Sequence, residues 1–195
     1  KNSPVGAGLG GGSADAAYTL TMLNDICSLG LSTEQLAGYA ARLGSDCAFF
    51  IFGRPMFGEG RGEVLTPFEL PVDIVDAGGA ACSGSTGTAG PCTGEHPEKD
   101  RPQYELQIVI PEGISVSTTE AYRGITPAIP EMRLKDVLAR PVSEWKDLLV
   151  NDFEATVFKA HPELAAIKQS LYDSGAIYAS MSGSGSALFA LYERR

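Results

Sequence analysis

The chain has 195 residues, of which 44% are hydrophobic and 20% charged, and its formal net charge is −9. The hydrophobic fraction excludes wholesale disorder, and the length suits one large domain or two small ones. The acidic balance argues against a broad surface for nucleic acid or for anionic membranes, but it is compatible with a small anion site made of backbone N–H groups.

The glycine-rich loop of residues 4–12 opens the chain and leads into a helix for which Ser13 is a good N-cap. A second helix begins at Ser32, where the sequence STEQ has the spacing of a capping box. The apolar run of residues 47–52 predicts a buried strand, and residues 56–65 predict a strand or hairpin interrupted by glycines. The first half therefore predicts helices followed by strands.

Residues 73–102 differ in composition, with many glycines among small and polar residues, and predict a flexible insertion or linker. Beyond it the pattern predicts a strand at residues 106–110, helices at 117–122, 145–158 and 162–171, and strands at 176–181 and 187–192. We therefore predict an α+β fold with two subdomains. Their boundaries are residues 1–72 and 103–195, on either side of the insertion.

The ends and the cysteines give no sign of export or of a metal centre. No apolar run approaches the roughly 18 to 20 residues that cross a bilayer, and residues 1–4 lack the apolar core of a signal peptide. We therefore expect a cytoplasmic protein with no membrane partner. Without a C-x-x-C pair, the sequence argues against a zinc site. We expect Cys27 and Cys47 to be buried thiols and leave open a disulfide between Cys82 and Cys92.

The opening loop has the composition of a phosphate site, with five glycines between Pro4 and Ser13. Glycine permits left-handed dihedrals and close approach of a ligand to the backbone. Because a helix follows at once, free N–H groups and the positive end of the helix dipole converge near Ser13. The Ser13 hydroxyl adds a group for a phosphate oxygen or a metal ion. The loop therefore predicts an anion site.

Two known glycine-rich phosphate-binding motifs match the loop only in part. It lacks the lysine of a Walker A sequence. Gly6, Gly8 and Gly11 satisfy G-x-G-x-x-G, but that fingerprint needs a second strand after the first helix, where this sequence predicts another helix. An NAD-dependent enzyme stays a weaker alternative.

Three segments resemble motifs of the GHMP kinases. Residues 4–17, PVGAGLGGGSADAA, resemble the ATP-binding loop of that family. Residues 43–50, LGSDCAFF, resemble the segment that carries a catalytic aspartate, and residues 180–186, SMSGSGS, resemble the glycine-rich turn that closes on the phosphate site. Their order along the chain agrees with the family. The resemblance covers nearly the whole chain apart from residues 73–102.

The resemblance implies a GHMP kinase fold, with a ribosomal protein S5-like N-terminal part and a ferredoxin-like C-terminal part, and it implies ATP and Mg²⁺ as cofactors. Asp46 is implied to accept or orient the proton of the substrate hydroxyl. The implied ATP-binding residues are Pro4, Val5, Gly6, Ala7, Gly8, Leu9, Gly10, Gly11, Gly12, Ser13 and Ala14. The implied closing turn contains Gly183, Ser184 and Gly185, and Ser13 is the implied metal contact through Mg-ATP.

The form G-L-G-G-G-S followed by x-D-A resembles the members of the family that phosphorylate the 2-hydroxyl of 4-diphosphocytidyl-2-C-methyl-D-erythritol, in non-mevalonate isoprenoid precursor synthesis. The implied partners are therefore that small molecule and ATP. Family members begin with a segment that carries a first motif, a catalytic lysine and the residues that hold the cytidine. We expect this chain to be a fragment without it. The alternatives are a kinase of the homoserine or mevalonate type and a non-catalytic nucleotide-binding fragment.

Overall fold

The computed structural model describes residues 6–60, 62, 64–76 and 103–194. Its helices are α1 Gly11–Ile26, α2 Thr33–Leu43, α3 Cys47–Phe52, α4 Thr118–Arg123, α5 Leu134–Leu138, α6 Val142–Leu148, α7 Glu154–Ala160 and α8 Pro162–Asp173. Its strands are β1 Met56–Glu59, β2 Val64–Pro67, β3 Asp73–Asp76, β4 Gln103–Val109, β5 Tyr178–Met181 and β6 Leu188–Glu193. Among the described residues, no helix combines the length and the apolar character that crossing a bilayer requires.

The described residues fall into two compact units. The first, here called the helical unit, contains the described part of residues 10–69, and the second, the sheet unit, contains residues 6–9, 70–76 and 103–194. The glycine-rich loop therefore changes unit between Leu9 and Gly10. The sequence places that loop wholly in the first subdomain, so this division is a feature that the sequence does not predict.

The helical unit contains α1, α2, α3 and the antiparallel hairpin of β1 and β2. The predicted capping box starts α2: Gln35 N–H donates to Ser32 Oγ at 3.3 Å, and Ser32 N–H donates to Gln35 Oε1 at 2.9 Å. Small buried side chains form the core of this unit, namely Ala37, Ala40, Cys47 and Ala48. The expectation of a buried Cys47 is confirmed.

Three expectations for this unit are wrong. Residues 47–52 form helix α3 and not a strand, because a short apolar run fits a buried helix as well as a strand. Helix α1 begins at Gly11 with Gly10 as its N-cap, so Ser13 lies inside the first turn. Cys27 is exposed, since it follows the last turn of α1 and packs into no core.

The sheet unit contains four strands in the order β3-β4-β6-β5, in which β3 runs parallel to β4 and the other pairs are antiparallel. One face, which includes Met181 and Leu188, packs against α4, α7 and α8. The other face, which includes Tyr178 and Leu191, packs against α5 and α6, where Trp145 is buried. The sheet is therefore covered by helices on both faces, and the predicted α+β class is confirmed.

Two further expectations need correction. Strand β3, Asp73–Asp76, occupies the first four residues of the segment predicted to be flexible, and its pairing with β4 orders it. Residues 77–102, with Cys82 and Cys92, lie outside the described residues. The predicted helix over residues 145–158 is two helices, α6 and α7, because Leu149 takes extended dihedrals of φ −98° and ψ 98°.

Tyr178 provides a test of the packing under α6. Its hydroxyl donates to Leu149 O at 3.1 Å, and burial raises the pKa of Tyr178 to about 12, from an ordinary value of 10.0. The folded state favours the neutral phenol. The stability that this preference contributes is therefore fully present below pH 10.0 and is lost as the pH rises through about 12. We expect Tyr178→Phe to flatten the fall in unfolding free energy across this range in urea titrations. Tyr18→Phe, at a side chain that is 65% exposed, is the control. Equal slopes for wild type and Tyr178→Phe would contradict the assignment.

Candidate functional site

The first half of the glycine-rich loop lies against the turn between β5 and β6. Ser182 Oγ donates to Gly8 O at 2.8 Å, and Ala187 N–H donates to Ala7 O at 3.0 Å. Gly8 has a φ of +71°, and a Cβ built there would overlap the carbonyl oxygen of Ser182 and lie 2.9 Å from Gly185 N. Glycine is therefore required at position 8 by both its dihedrals and its neighbours.

The closing turn has the same need for small residues. Gly183 and Gly185 have φ values of +54° and +87°. A Cβ on Gly185 would lie 2.7 Å from Met181 Sδ, and one on Gly183 would lie 3.3 Å from Gly8 O. Gly185 N–H donates to Ser182 O at 3.0 Å, which closes the turn. The predicted loop residues 6–9 and the predicted turn residues 183–185 are thus brought together in the sheet unit.

The second half of the loop starts helix α1 in the helical unit. Gly10, with a φ of +65°, is an N-cap that supplies no side-chain hydrogen bond. The Ala14 N–H is the first to donate within the helix, to Gly10 O at 2.9 Å, so the N–H groups of residues 11–13 have no acceptor in the helix. None of the described residues has an atom within 4 Å of a Cβ built on Gly12. The helix start therefore presents free donors and the positive dipole end on an open side.

Asp46 lies in the same unit as this helix start. It precedes α3 with φ −87° and ψ −11°, is exposed, and has its Oδ1 3.3 Å from Ser45 Oγ. Phe50 is four residues further on and so lies on the same helix face, one turn along. The Phe50 ring lies 2.8 Å from a Cβ built on Gly10. Helix α3 thus packs on the start of α1 through Phe50, and Asp46 precedes the first turn of that helix.

Of the predicted site residues, Pro4 and Val5 lie outside the described residues. Ser13 lies in the first turn of α1, where a hydroxyl can reach a phosphate or a metal bound to it. In the described part of the chain, no group of three or more His, Cys, Asp or Glu side chains could hold a metal ion.

The sequence interpretation missed Asn151 and Glu154, which hold the closing turn. Asn151 Nδ2 donates to Met181 O and to Gly183 O, both at 2.8 Å. Glu154 Oε1 accepts from Met181 N–H at 2.8 Å, and Lys168 Nζ donates to Glu154 Oε2 at 2.6 Å. The signal was present in the sequence: the polar pair Asn-Asp interrupts the apolar pattern that predicted one helix over residues 145–158.

The comparisons with known proteins agree with these motifs. The model of the GHMP kinases N terminal domain matches residues 1–54, and the model of the GHMP kinases C terminal domain matches residues 134–195. A protein of Bacteroides thetaiotaomicron named 4-diphosphocytidyl-2-C-methyl-D-erythritol kinase is 44% identical over 193 residues, which cover 99% of this chain and 60% of that protein. A protein of Parabacteroides distasonis with the same name is 43% identical over 194 residues, which cover 100% of this chain and 60% of that protein.

A solved structure gives the same result at the level of the fold. The crystal structure of 4-(cytidine 5'-diphospho)-2C-methyl-D-erythritol kinase matches with a TM-score of 0.70 and 29% sequence identity, over 98% of this chain and 59% of that one. The chain thus spans 60% of the length of the two relatives just described.

The contact between Gly8 and the closing turn can be tested with a pair of glycine variants. We expect Gly8→Ala to lower the unfolding free energy by more than about 3 kcal/mol, because left-handed strain of about 1–2 kcal/mol is added to overlap with backbone. Gly113→Ala is the matched control, since Gly113 has a φ of +75° and no atom within 4 Å of its Cβ position. It bears the strain alone and should cost about 1–2 kcal/mol. Denaturant titration measures both, and equal costs would contradict the close contact.

Proposed function

Because the chain belongs to the GHMP kinase family, we propose that the whole protein transfers the γ-phosphoryl group of ATP to the 2-hydroxyl of 4-diphosphocytidyl-2-C-methyl-D-erythritol. The observation that carries the kinase chemistry is the packing of the Asp46 helix against the start of α1, where the free N–H groups of residues 11–13 lie. The substrate is supported by relatives that bear its name at 43% and 44% identity.

Backbone donors are the proposed phosphate ligands. Phosphoryl transfer depends mainly on alignment and on neutralisation of the phosphate charge. Residues 11–13 offer N–H groups at the positive end of a 16-residue helix, and Gly12 leaves the approach open. A chain with a net charge of −9 needs such uncharged donors to hold a polyphosphate.

Mg²⁺ is proposed to arrive with the nucleotide. Magnesium retains several waters and takes few protein ligands besides substrate phosphates, so one hydroxyl at Ser13 suits it better than a cage of carboxylates would. When bound, it neutralises charge on the phosphates. Ser13 would contribute its Oγ, and the N–H groups around it would hold the oxygens that the metal leaves free.

Asp46 is the proposed general base. Its carboxylate precedes α3, the helix whose Phe50 ring lies by Gly10, and it could accept or orient the proton of the acceptor hydroxyl as the oxygen attacks phosphorus. Its single described hydrogen bond, from Ser45 Oγ, leaves most of its acceptor positions open to a substrate.

An ADP-release assay on the whole protein tests the proposal with three acceptors. We expect turnover with 4-diphosphocytidyl-2-C-methyl-D-erythritol and none with homoserine or mevalonate. Turnover with either of the other acceptors would overturn the substrate while keeping the kinase. ATP binding without ADP formation from any acceptor would support the non-catalytic alternative.

The role of Asp46 predicts a separation of binding from chemistry. Asp46→Asn keeps the shape of the side chain and removes the base, so we expect kcat to fall by at least about 100-fold while the Kd for ATP stays within about twofold. Asp25→Asn is the control, because Asp25 lies near the other end of α1, about 21 Å from Gly11 at 1.5 Å per residue. Full turnover by Asp46→Asn would exclude a base at this position.

Replacement of Gly12 by alanine is expected to have opposite effects on stability and on ATP binding. Gly12→Ala places a methyl group in the open space before the helix start, so we expect weaker ATP binding, whereas alanine in a helix adds up to about 1 kcal/mol of stability over glycine. Gly38→Ala is the matched control: Gly38 is exposed within α2 and has no atom within 4 Å of its Cβ position. It should gain stability with unchanged ATP affinity. Calorimetry and thermal melts measure the two effects, and equal ATP affinity in both variants would contradict a phosphate at Gly12.

A further inference from the structure

The link between α6 and α7, residues 149–153, carries a side chain that enters the closing turn. Asn151 Nδ2 donates to Met181 O and to Gly183 O, at 2.8 Å each. Its Oδ1 accepts from Phe153 N–H at 3.0 Å. The amide therefore uses both of its N–H donors on the turn and its oxygen on its own link, and this pattern fixes which way the amide faces.

The bond to Gly183 fixes the direction of a second group. A trans peptide is planar, so the C=O of one residue and the N–H of the next point in opposite directions. Because Asn151 holds the carbonyl of Gly183, it also sets the direction of the Ser184 N–H. That N–H donates to no residue that the structure describes. Ser184 is thus a free donor whose orientation depends on Asn151.

The turn has few other means of holding this peptide. Gly183 is exposed, has a φ of +54° and carries no side chain. The Ser184 hydroxyl is 3.5 Å from Thr118 Oγ1, a long contact for two hydroxyls. The closest hydrogen bond to the Gly183–Ser184 peptide from a side chain is therefore the one from Asn151, among the residues that the structure describes.

Glu154 holds the base of the turn by accepting hydrogen bonds, whereas Asn151 donates them. It is 8% exposed, and its Oε1 accepts from Met181 N–H at 2.8 Å and from Ser180 Oγ at 3.1 Å. The ion pair with Lys168 neutralises it. Met181 is therefore held at its N–H by Glu154 and at its C=O by Asn151, so the base of the turn is fixed, and of these two side chains Asn151 is the one that also bonds to Gly183.

We propose that Asn151 is a positioning residue for ATP, which directs the Ser184 N–H toward a phosphate group. The proposal rests on the proposed function, namely that the protein binds ATP, and it adds that the closing turn contacts the nucleotide. Asn151 itself touches the turn and no reacting atom. Its contribution is to the affinity for the phosphates and not to the affinity for the nucleoside.

The test is Asn151→Asp in the whole protein, a change that keeps the size of the side chain and replaces two N–H donors by an acceptor. Facing two carbonyl oxygens, the carboxylate repels the turn, and we expect the Kd for ATP to rise at least about tenfold at pH 8. The Kd for adenosine, which has no phosphate, stays unchanged. Calorimetry on both ligands separates these effects.

Protonation supplies a rescue that ties the loss of affinity to the hydrogen bonds between Asn151 and the turn. A protonated carboxyl has an O–H donor, and the two carbonyls raise the pKa of an aspartate placed there. We therefore expect the ratio of the variant Kd to the wild-type Kd for ATP to shrink as the pH falls from 8 to 5. Asp152→Asn is the matched control, because it makes the reverse change at the exposed neighbouring residue and should leave ATP affinity within about twofold.

Each outcome decides the proposal. An equal loss of ATP and adenosine affinity, or unchanged ATP affinity, would overturn it. If Asn151→Asp does not fold, Asn151→Ala is measured in its place. It removes the same two hydrogen bonds, and the one from Phe153 N–H, without adding charge. ATP binding by the wild type that does not depend on Asn151 would overturn this inference alone, whereas a wild type that does not bind ATP would overturn the proposed function as well.

Discussion

The missing side chain at Gly8 is the constraint on which the candidate site depends. It lets two backbone segments, 174 residues apart in the sequence, meet at the distance of a hydrogen bond. Any Cβ would displace the Ser182 carbonyl, and with it the turn that Gly183 and Gly185 shape. The bonds from Ser182 and Ala187 then set the first half of the loop against β5 and β6. The geometry of the loop is thus a property of the sheet unit as well as of the loop's own sequence.

Charge bears on the choice of backbone donors for the proposed phosphate site. The 195-residue chain has a net charge of −9, so it has no overall excess of cations with which to attract a polyphosphate. Peptide N–H groups, such as those at the start of α1, add positive potential without adding formal charge. Such donors are directional, so their value depends on how firmly the peptide planes are held. Small residues make this arrangement possible, and hydrogen-bonded neighbours such as Asn151 make it rigid.

The sequence was informative at several places where the determining contacts are local. The Ser32 capping box, the glycines of the loop and the paired strands β5 and β6 all follow from spacing within a few residues. It was not informative where distant contacts decide. Residues 47–52 form helix α3, where a strand was expected. In the link after α6, Asn151 bonds to residues that are 30 and 32 positions away. No local pattern contains those partners. The site motifs were recognised from their order, whereas the residues that support them were not.

The two side chains that support the turn, Asn151 and Glu154, could not exchange positions. The group that meets Met181 N–H and Lys168 Nζ must be an acceptor, and a carboxylate, Glu154, meets both. The group that meets two carbonyls must be a donor with two N–H groups, which an amide supplies and a carboxylate cannot. Burial follows the same division: Glu154 is buried and neutralised, whereas Asn151 is half-buried at the edge of the turn. Loss of Glu154 would therefore leave buried partners without bonds and cost stability first, while loss of Asn151 would release an exposed peptide and alter its direction first. Stability and orientation of the turn thus rest on neighbouring residues with opposite hydrogen-bonding chemistry.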